Sequence, residues 1–192
     1  MQIKDAMCAL VVVTASARAH PAWGEAPEAD VMVAMGVHVR HFAASDRGTA
    51  ARVIGPVTAS DSDALSATER LAFGLTPPLY VALEVELGNF AYTGTTRSAR
   101  DALLVGSGAV GLRATVGTIA LSAELAGGGL AYSHPDETGL CGDPLVEVRG
   151  RAELFVTPWF TVGGTIGTSI LREDEWLVGV SLATHTAPYA RF

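Results

Sequence analysis

The stretch from Glu147 to Ile170, EVRGRAELFVTPWFTVGGTIGTSI, alternates residue by residue. Val146, Val148, Ala152, Leu154 and Val156 share one side, with Gly150 among them. Glu147, Arg149, Arg151, Glu153 and Phe155 share the other. A strict period of two predicts a strand with two unlike faces. Thr157-Pro158-Trp159 predicts a turn, since proline fixes φ and has no N–H to give to a ladder. The apolar side then resumes with Phe160, Val162, Ile166 and Ile170, opposite Thr161, Gly163, Thr165, Gly167 and Ser169. This is a hairpin with one apolar face and one face of charge, hydroxyls and glycine.

The unit recurs. From Thr68 to Tyr92, Leu71, Phe73 and Leu75 lead into Thr76-Pro77-Pro78, and Leu79, Val81, Leu83, Val85 and Leu87 lead out. Arg70, Ala72, Gly74, Tyr80, Ala82, Glu84 and Glu86 take the other face. A three-residue turn sets Leu75 across from Leu79 and therefore Arg70 across from Glu84, an opposite-charge pair. A third copy runs from Ala102 to Ala114, turns at Thr115-Val116-Gly117-Thr118 and returns through Ile119, Leu121, Ala123 and Leu125. Arg113 and Glu124 lie on its polar face. Gly127-Gly128-Gly129 predicts a weakened strand or a bulge near its end. Val31 to Phe42 adds a first strand, and Trp176 onward a last one. Long stretches at about Ala43–Ala67, Thr93–Asp101 and Ser133–Pro144 read as surface loops.

The count is about eight strands of about ten to thirteen residues, with tight turns alternating with longer loops, an order that suits a small closed barrel. No apolar run reaches the length of a membrane-spanning helix, although the mean hydropathy is +0.32. A net charge of −7 gives no support for nucleic-acid binding. Residues 1–19 read as a secretory signal peptide, with Lys4 before the apolar AMCALVVVTAS and Ala17-Arg18-Ala19 at the cleavage position; a later cut after Ala26 also fits. Residues 20–30 read as a linker and 31–192 as the barrel. Loss of Cys8 with the signal leaves Cys141 without an intramolecular disulfide partner.

A narrow barrel must fill its interior with side chains, and long charged residues set among small ones can do so. The polar face is therefore expected inside, with Arg70, Glu84, Glu86, Arg113, Glu124, Glu147, Arg149, Arg151 and Glu153 forming a lumen ion-pair network in which Arg70–Glu84 is the most specific pair. The aliphatic face is expected outside, against lipid. Phe73, Tyr80, Trp159 and Phe160 beside the tight turns, and Phe42, Phe90, Tyr92, Tyr132 and Trp176 beside the long loops, are expected to form two aromatic girdles.

The chain resembles the small eight-stranded outer-membrane barrels of Gram-negative bacteria, the OmpA/OmpX-like group. The resemblance covers residues 31–192 and rests on the hairpins, the alternation of short turns with long loops, the export signal and the terminal Phe192. It implies an all-β, eight-stranded antiparallel up-and-down transmembrane β-barrel. It also implies location in the outer membrane, contact with lipid and lipopolysaccharide, and a monomer. In that group a C-terminal aromatic is the assembly signal read by the barrel-assembly machinery, which gives Phe192 that role. Thr184, Thr186, Pro188 and Ala190 share its phase, so the group's apolar alternation is imperfect here.

The expected function is a structural or surface-interaction role with a filled interior and no open pore. A lipid A-modifying barrel enzyme and a soluble lipocalin-like barrel are the alternatives. No catalytic residue, cofactor or metal is expected. His134, Asp136, Glu137, Cys141 and Asp143 have metal-ligating types but match no established spacing. Ser181 and His185 share the inward phase, yet four residues along a strand is about 13 Å, beyond hydrogen-bond reach. Arg172-Glu173-Asp174-Glu175 reads as a solvated acidic tip that could meet divalent ions on lipopolysaccharide.

Overall fold

A computed structural model describes residues 30–43, 62–76, 78–91, 102–133, 140–172 and 174–186. They form eight strands: β1 Val31–Phe42, β2 Ser62–Thr76, β3 Leu79–Ala91, β4 Ala102–Val116, β5 Ile119–Ser133, β6 Leu140–Thr157, β7 Phe160–Ser169 and β8 Trp176–His185. Each pairs antiparallel with the next, and β8 pairs with β1, so the sheet closes without a free edge. The signal segment, His134, Asp136, Glu137 and Phe192 lie outside the described residues.

Alternation decides which side of the wall each residue takes. Along β8 the exposure switches at every residue, with Leu177, Gly179, Ser181, Ala183 and His185 buried and Val178, Val180, Leu182 and Thr184 exposed. The exposed set around the barrel is predominantly aliphatic: Leu83, Leu87, Met35 and Val180 are each more than 60% exposed. The buried set combines charged and small residues with an apolar group at one end, and includes Arg149 and Glu86 at 0%. Such a molecule hides charge and presents hydrocarbon.

Several expectations need correction. β2 begins at Ser62, inside the stretch read as a loop, because alternating Ala64, Ser66 and Thr68 with Asp63, Leu65 and Ala67 gives little contrast in polarity. β6 likewise begins at Leu140 and runs for 18 residues, which moves Cys141 and Asp143 from loop to strand. The turn after β2 is tighter than expected. Thr76 pairs with Leu79, and the register shifts between Gly74 and Thr76, so Leu75 is an extra residue in a bulge. The bulge restores the count, and Arg70 still pairs with Glu84. The second Thr-Pro turn repeats this, with Thr157 opposite Phe160 and a shift between Phe155 and Thr157.

The glycine triplet neither bulges nor ends its strand. β5 pairs without a shift through Gly127↔Gly108, Gly128↔Ser107 and Gly129↔Gly106. At Gly128 a Cβ would lie 2.0 Å from the Gly106 carbonyl oxygen, so close backbone approach accounts for it.

The aromatics divide differently from the expected girdles. Phe42, Phe90 and Tyr132 point inward and are 2–3% exposed, because they share the phase of His38, Glu86 and Glu124. With Leu103, Val105, Leu130 and Leu145 they form an apolar cluster inside the long-loop end. Tyr80 is also internal. Outward aromatics among the described residues are Phe73, Trp159 and Phe160 near the tight turns and Trp176 near the long loops.

Candidate functional site

The charged interior lies below the apolar cluster. β1 carries His38 and Arg40 inward, β2 Arg70, β3 Tyr80, Glu84 and Glu86, β5 Glu124, and β6 Glu147, Arg149, Arg151 and Glu153. Each lies on its strand's inward phase, so one tilted wall after another delivers charges to a common axis. Arg40 grips Glu86 with two bonds, Nη2 to Oε1 at 2.6 Å and Nε to Oε2 at 2.9 Å. Its other nitrogen donates to Glu147. Arg149 joins Glu147 (2.9 Å) to Glu84 Oε1 (2.6 Å). Arg70 joins Glu84 Oε2 (3.2 Å) to Glu124 Oε1 (2.6 Å). Arg151 donates to Glu84 Oε2 at 3.4 Å, and Tyr80 donates to Glu124. The chain of contacts is thus Glu86–Arg40–Glu147–Arg149–Glu84–Arg70–Glu124.

Arg113 and Glu153 pair separately near the tight-turn end, where the Arg113 guanidinium lies 5.9 Å from the Phe155 ring centre. The distances change the rank of the pairs. Arg70 reaches Glu124 more closely than it reaches Glu84, and Glu84 is held more closely by Arg149. Arg70–Glu84 is one link, and Glu84 is the hub.

Sequence reasoning missed Arg40, His38 and Tyr80 as members of this cluster. Their signal was available, since they share phase with Met32 and Ala34 or with Glu84. Small residues opposite them make the space. A Cβ on Gly111 would fall 2.4 Å from Tyr80 Cζ, and one on Gly179 would fall 2.0 Å from His38 Cδ2.

His38, Glu84 and Glu86 bring metal-ligating atoms within 4.8 Å of one another. His38 Nδ1 is 3.2 Å from Glu86 Oε1, but neither ring nitrogen has hydrogen-bond alignment. All four carboxylate oxygens of the two glutamates already face arginine nitrogens. A dication would have to displace them, so this donor set is matched to guanidinium.

At the tight-turn end His185 Nε2 lies 3.2 Å from Thr161 Oγ1, and its Nδ1 lies 3.1 Å from Asp30 Oδ2. Ser181 is buried on the same strand, but the hydroxyl at His185 is that of Thr161. Thr161 is itself 1% exposed, and the Phe155 ring lies 5.2 Å from the imidazole, so the group is a packed clasp. Asp30, read as linker, also accepts the Gly74 N–H at its carbonyl. At the opposite end Arg172 bonds Asp143 (3.4 Å) and Glu175 (3.5 Å), all buried. The expected solvated tip is therefore corrected at Arg172 and Glu175, because Arg172 draws Glu175 inward, while Asp174 is exposed with φ of 63°.

No family model and no curated protein matches the sequence. Solved structures do. Neisserial surface protein A is similar over 84% of this chain and 99% of its own, with 10% identity and a TM-score of 0.53. Ail, the attachment invasion locus protein of Yersinia pestis, is similar over 82% and 98%, with 10% identity and a TM-score of 0.50. The fold is that of the small eight-stranded outer-membrane barrels. At such identity the likeness fixes the wall of this barrel, whereas its charged interior follows from its own residues.

Proposed function

We propose that this chain is an integral outer-membrane protein of a Gram-negative bacterium with a structural or surface-interaction role, a side-chain-filled interior and no open pore. The polarity of the wall carries the reading. Aliphatic side chains cover the outside, while paired arginines and glutamates sit inside. In water that arrangement would expose an apolar area far beyond what a soluble monomer tolerates. Against hydrocarbon it is the favourable one. It also disfavours a lipocalin-like barrel, which needs the opposite polarity. Two of the structural neighbours are named as a surface protein and as an attachment invasion locus protein, which supports assigning the long loops an outward role.

Outer-membrane lipid and lipopolysaccharide are the proposed surroundings. The barrel-assembly machinery, engaging the last strand and Phe192, is the proposed route in. The test is fractionation of expressed protein, then a heat-modifiability gel, then planar-bilayer conductance. Membrane partition, a boiling-dependent mobility shift and no large steady conductance are expected. A soluble, non-shifting protein would overturn the membrane reading, and a large steady conductance would overturn the filled interior.

A further inference from the structure

The outward faces of the strands carry three ionisable residues among the described positions: His41, Asp63 and Glu69. Two of them satisfy each other at the long-loop rim. His41 Nδ1 lies 2.8 Å from Asp63 Oδ1, and the His41 ring stacks on Trp176. Glu69 is different. It stands at the midpoint of β2 and is exposed on the outer wall. Its register partners are Met35 on β1 and Val85 on β3. Val33, Val37, Leu83 and Leu87 surround it on the same two strands, each at least 45% exposed.

The position is deep. Phe73, toward the tight turn, and Asp63, toward the long loops, bracket a band roughly 25 Å tall at ordinary strand rise and tilt. Glu69 lies about 10 Å from the level of Phe73 and about 15 Å from that of Asp63 by the same geometry. A glutamate side chain, about 5 Å long by standard bond lengths, reaches neither rim. A carboxyl group in hydrocarbon is costly in its ionised form, and such residues mark functional positions. As the neutral acid it still holds one O–H donor and a carbonyl acceptor with nothing in lipid to meet them. The outward wall supplies no cation within this band among the described residues.

The complement of a neutral carboxylic acid is a second one, since each gives and accepts one hydrogen bond. A two-fold axis parallel to the barrel axis sets a residue opposite its own copy at the same depth. We propose that Glu69 is the centre of a self-association surface on β2, at which two copies of this barrel meet inside the bilayer and their Glu69 carboxyls hydrogen-bond each other. The apolar ring from β1 and β3 packs around that pair and excludes lipid from it. The closed sheet leaves no strand edge for pairing, so side chains make the contact. The inference rests on the membrane-spanning reading and departs from the monomer expected from resemblance.

The experiment counts fluorescent barrels per particle by single-molecule photobleaching in liposomes, over a series of protein-to-lipid ratios. It compares the unmutated full chain with Glu69→Gln and Glu69→Leu. The unmutated protein should dimerise. Glu69→Gln should stay close to it, because an amide is also its own complement, whereas Glu69→Leu should weaken association about tenfold, as expected for losing two interhelical-type hydrogen bonds in lipid. Monomers at every ratio, Glu69→Leu dimerising like the unmutated chain, or Glu69→Gln behaving like Glu69→Leu would each overturn the proposal. A heat-modifiability gel on the same liposomes separates the two levels: inserted, folded monomers sink only this inference, whereas failure to insert sinks the membrane reading with it.

Discussion

Removing the charge of Glu84 is the sharpest perturbation of the interior. Its two oxygens face Arg149 at 2.6 Å, Arg70 at 3.2 Å and Arg151 at 3.4 Å. Glu84→Gln keeps the shape and leaves the cluster with one uncompensated positive charge. Arg149 would retain Glu147 and Arg70 would retain Glu124, so the deficit falls most on Arg151, whose other carboxylate contact is 3.9 Å away. Breaking a buried pair from one side costs about 3–5 kcal/mol. Arg149→Gln should cost a similar amount, leaving the cluster one charge negative. The double variant leaves Arg40, Arg70 and Arg151 against Glu86, Glu124 and Glu147, and is neutral again. Its cost should fall short of the summed singles by about 1–3 kcal/mol. The same cycle on Arg70 and Glu84 should give a smaller coupling, following the longer contact. Urea titration of folding into vesicles, read on a heat-modifiability gel, supplies all four stabilities. Additive losses for Glu84 and Arg149, or a larger coupling for Arg70, would refute the reasoning from geometry.

Leu83 is 62% exposed on the outer wall, so Leu83→Arg should lower stability by about 2–4 kcal/mol, whereas inward Ala82→Ser should change little in the same titration. Comparable losses at both positions would contradict the assignment of faces. Gly111→Ala should push the Tyr80 ring out of its place and cost about 1–3 kcal/mol, with loss of its bond to Glu124 visible as a changed tyrosine environment in near-ultraviolet circular dichroism. Protease added to intact cells should cut near Gly48 or Gly139. Cutting at Pro77 or Pro158 would invert the barrel.

The barrel was legible wherever the two faces differ strongly in polarity. Glu147 through Val156 needs only its alternation to be placed inside and out. Legibility fails where small residues fill both phases. Ala64, Ser66 and Ala67 in β2 carry almost no contrast, so the first turns of that strand resemble loop. The same phase argument that placed Glu84 inside also placed Phe42, Phe90 and Tyr132 there. Expecting girdles from residue type alone overrode it, because an aromatic beside a loop suits an interface and an interior plug equally well. Arg40 was visible by phase and overlooked. The ranking of ion pairs was not visible at all, since it depends on contacts across the lumen between strands far apart in sequence, such as Arg149 and Glu84. Register within one hairpin gives neighbours along the wall and says nothing of partners across the bore.

The seam between the first and last strands has a kinetic consequence. Val31 donates to the Thr186 hydroxyl, Thr186 donates to the Val31 carbonyl, and Asp30 meets His185, each joining residues 155 positions apart. Every other strand pair is made with the next strand in line and can form as soon as that strand exists. The seam has to wait for the whole chain and for the largest loop closure in the molecule. Until then β1 and β8 are both open edges, each with a full row of unpaired backbone groups that hydrocarbon cannot satisfy. Closure is therefore the step at which a template able to hold one edge would gain the most. The clasp of Asp30 on His185 is placed to make that step hard to reverse, so parting these two strands should be a slow step of unfolding from the bilayer, and removing the clasp should speed it.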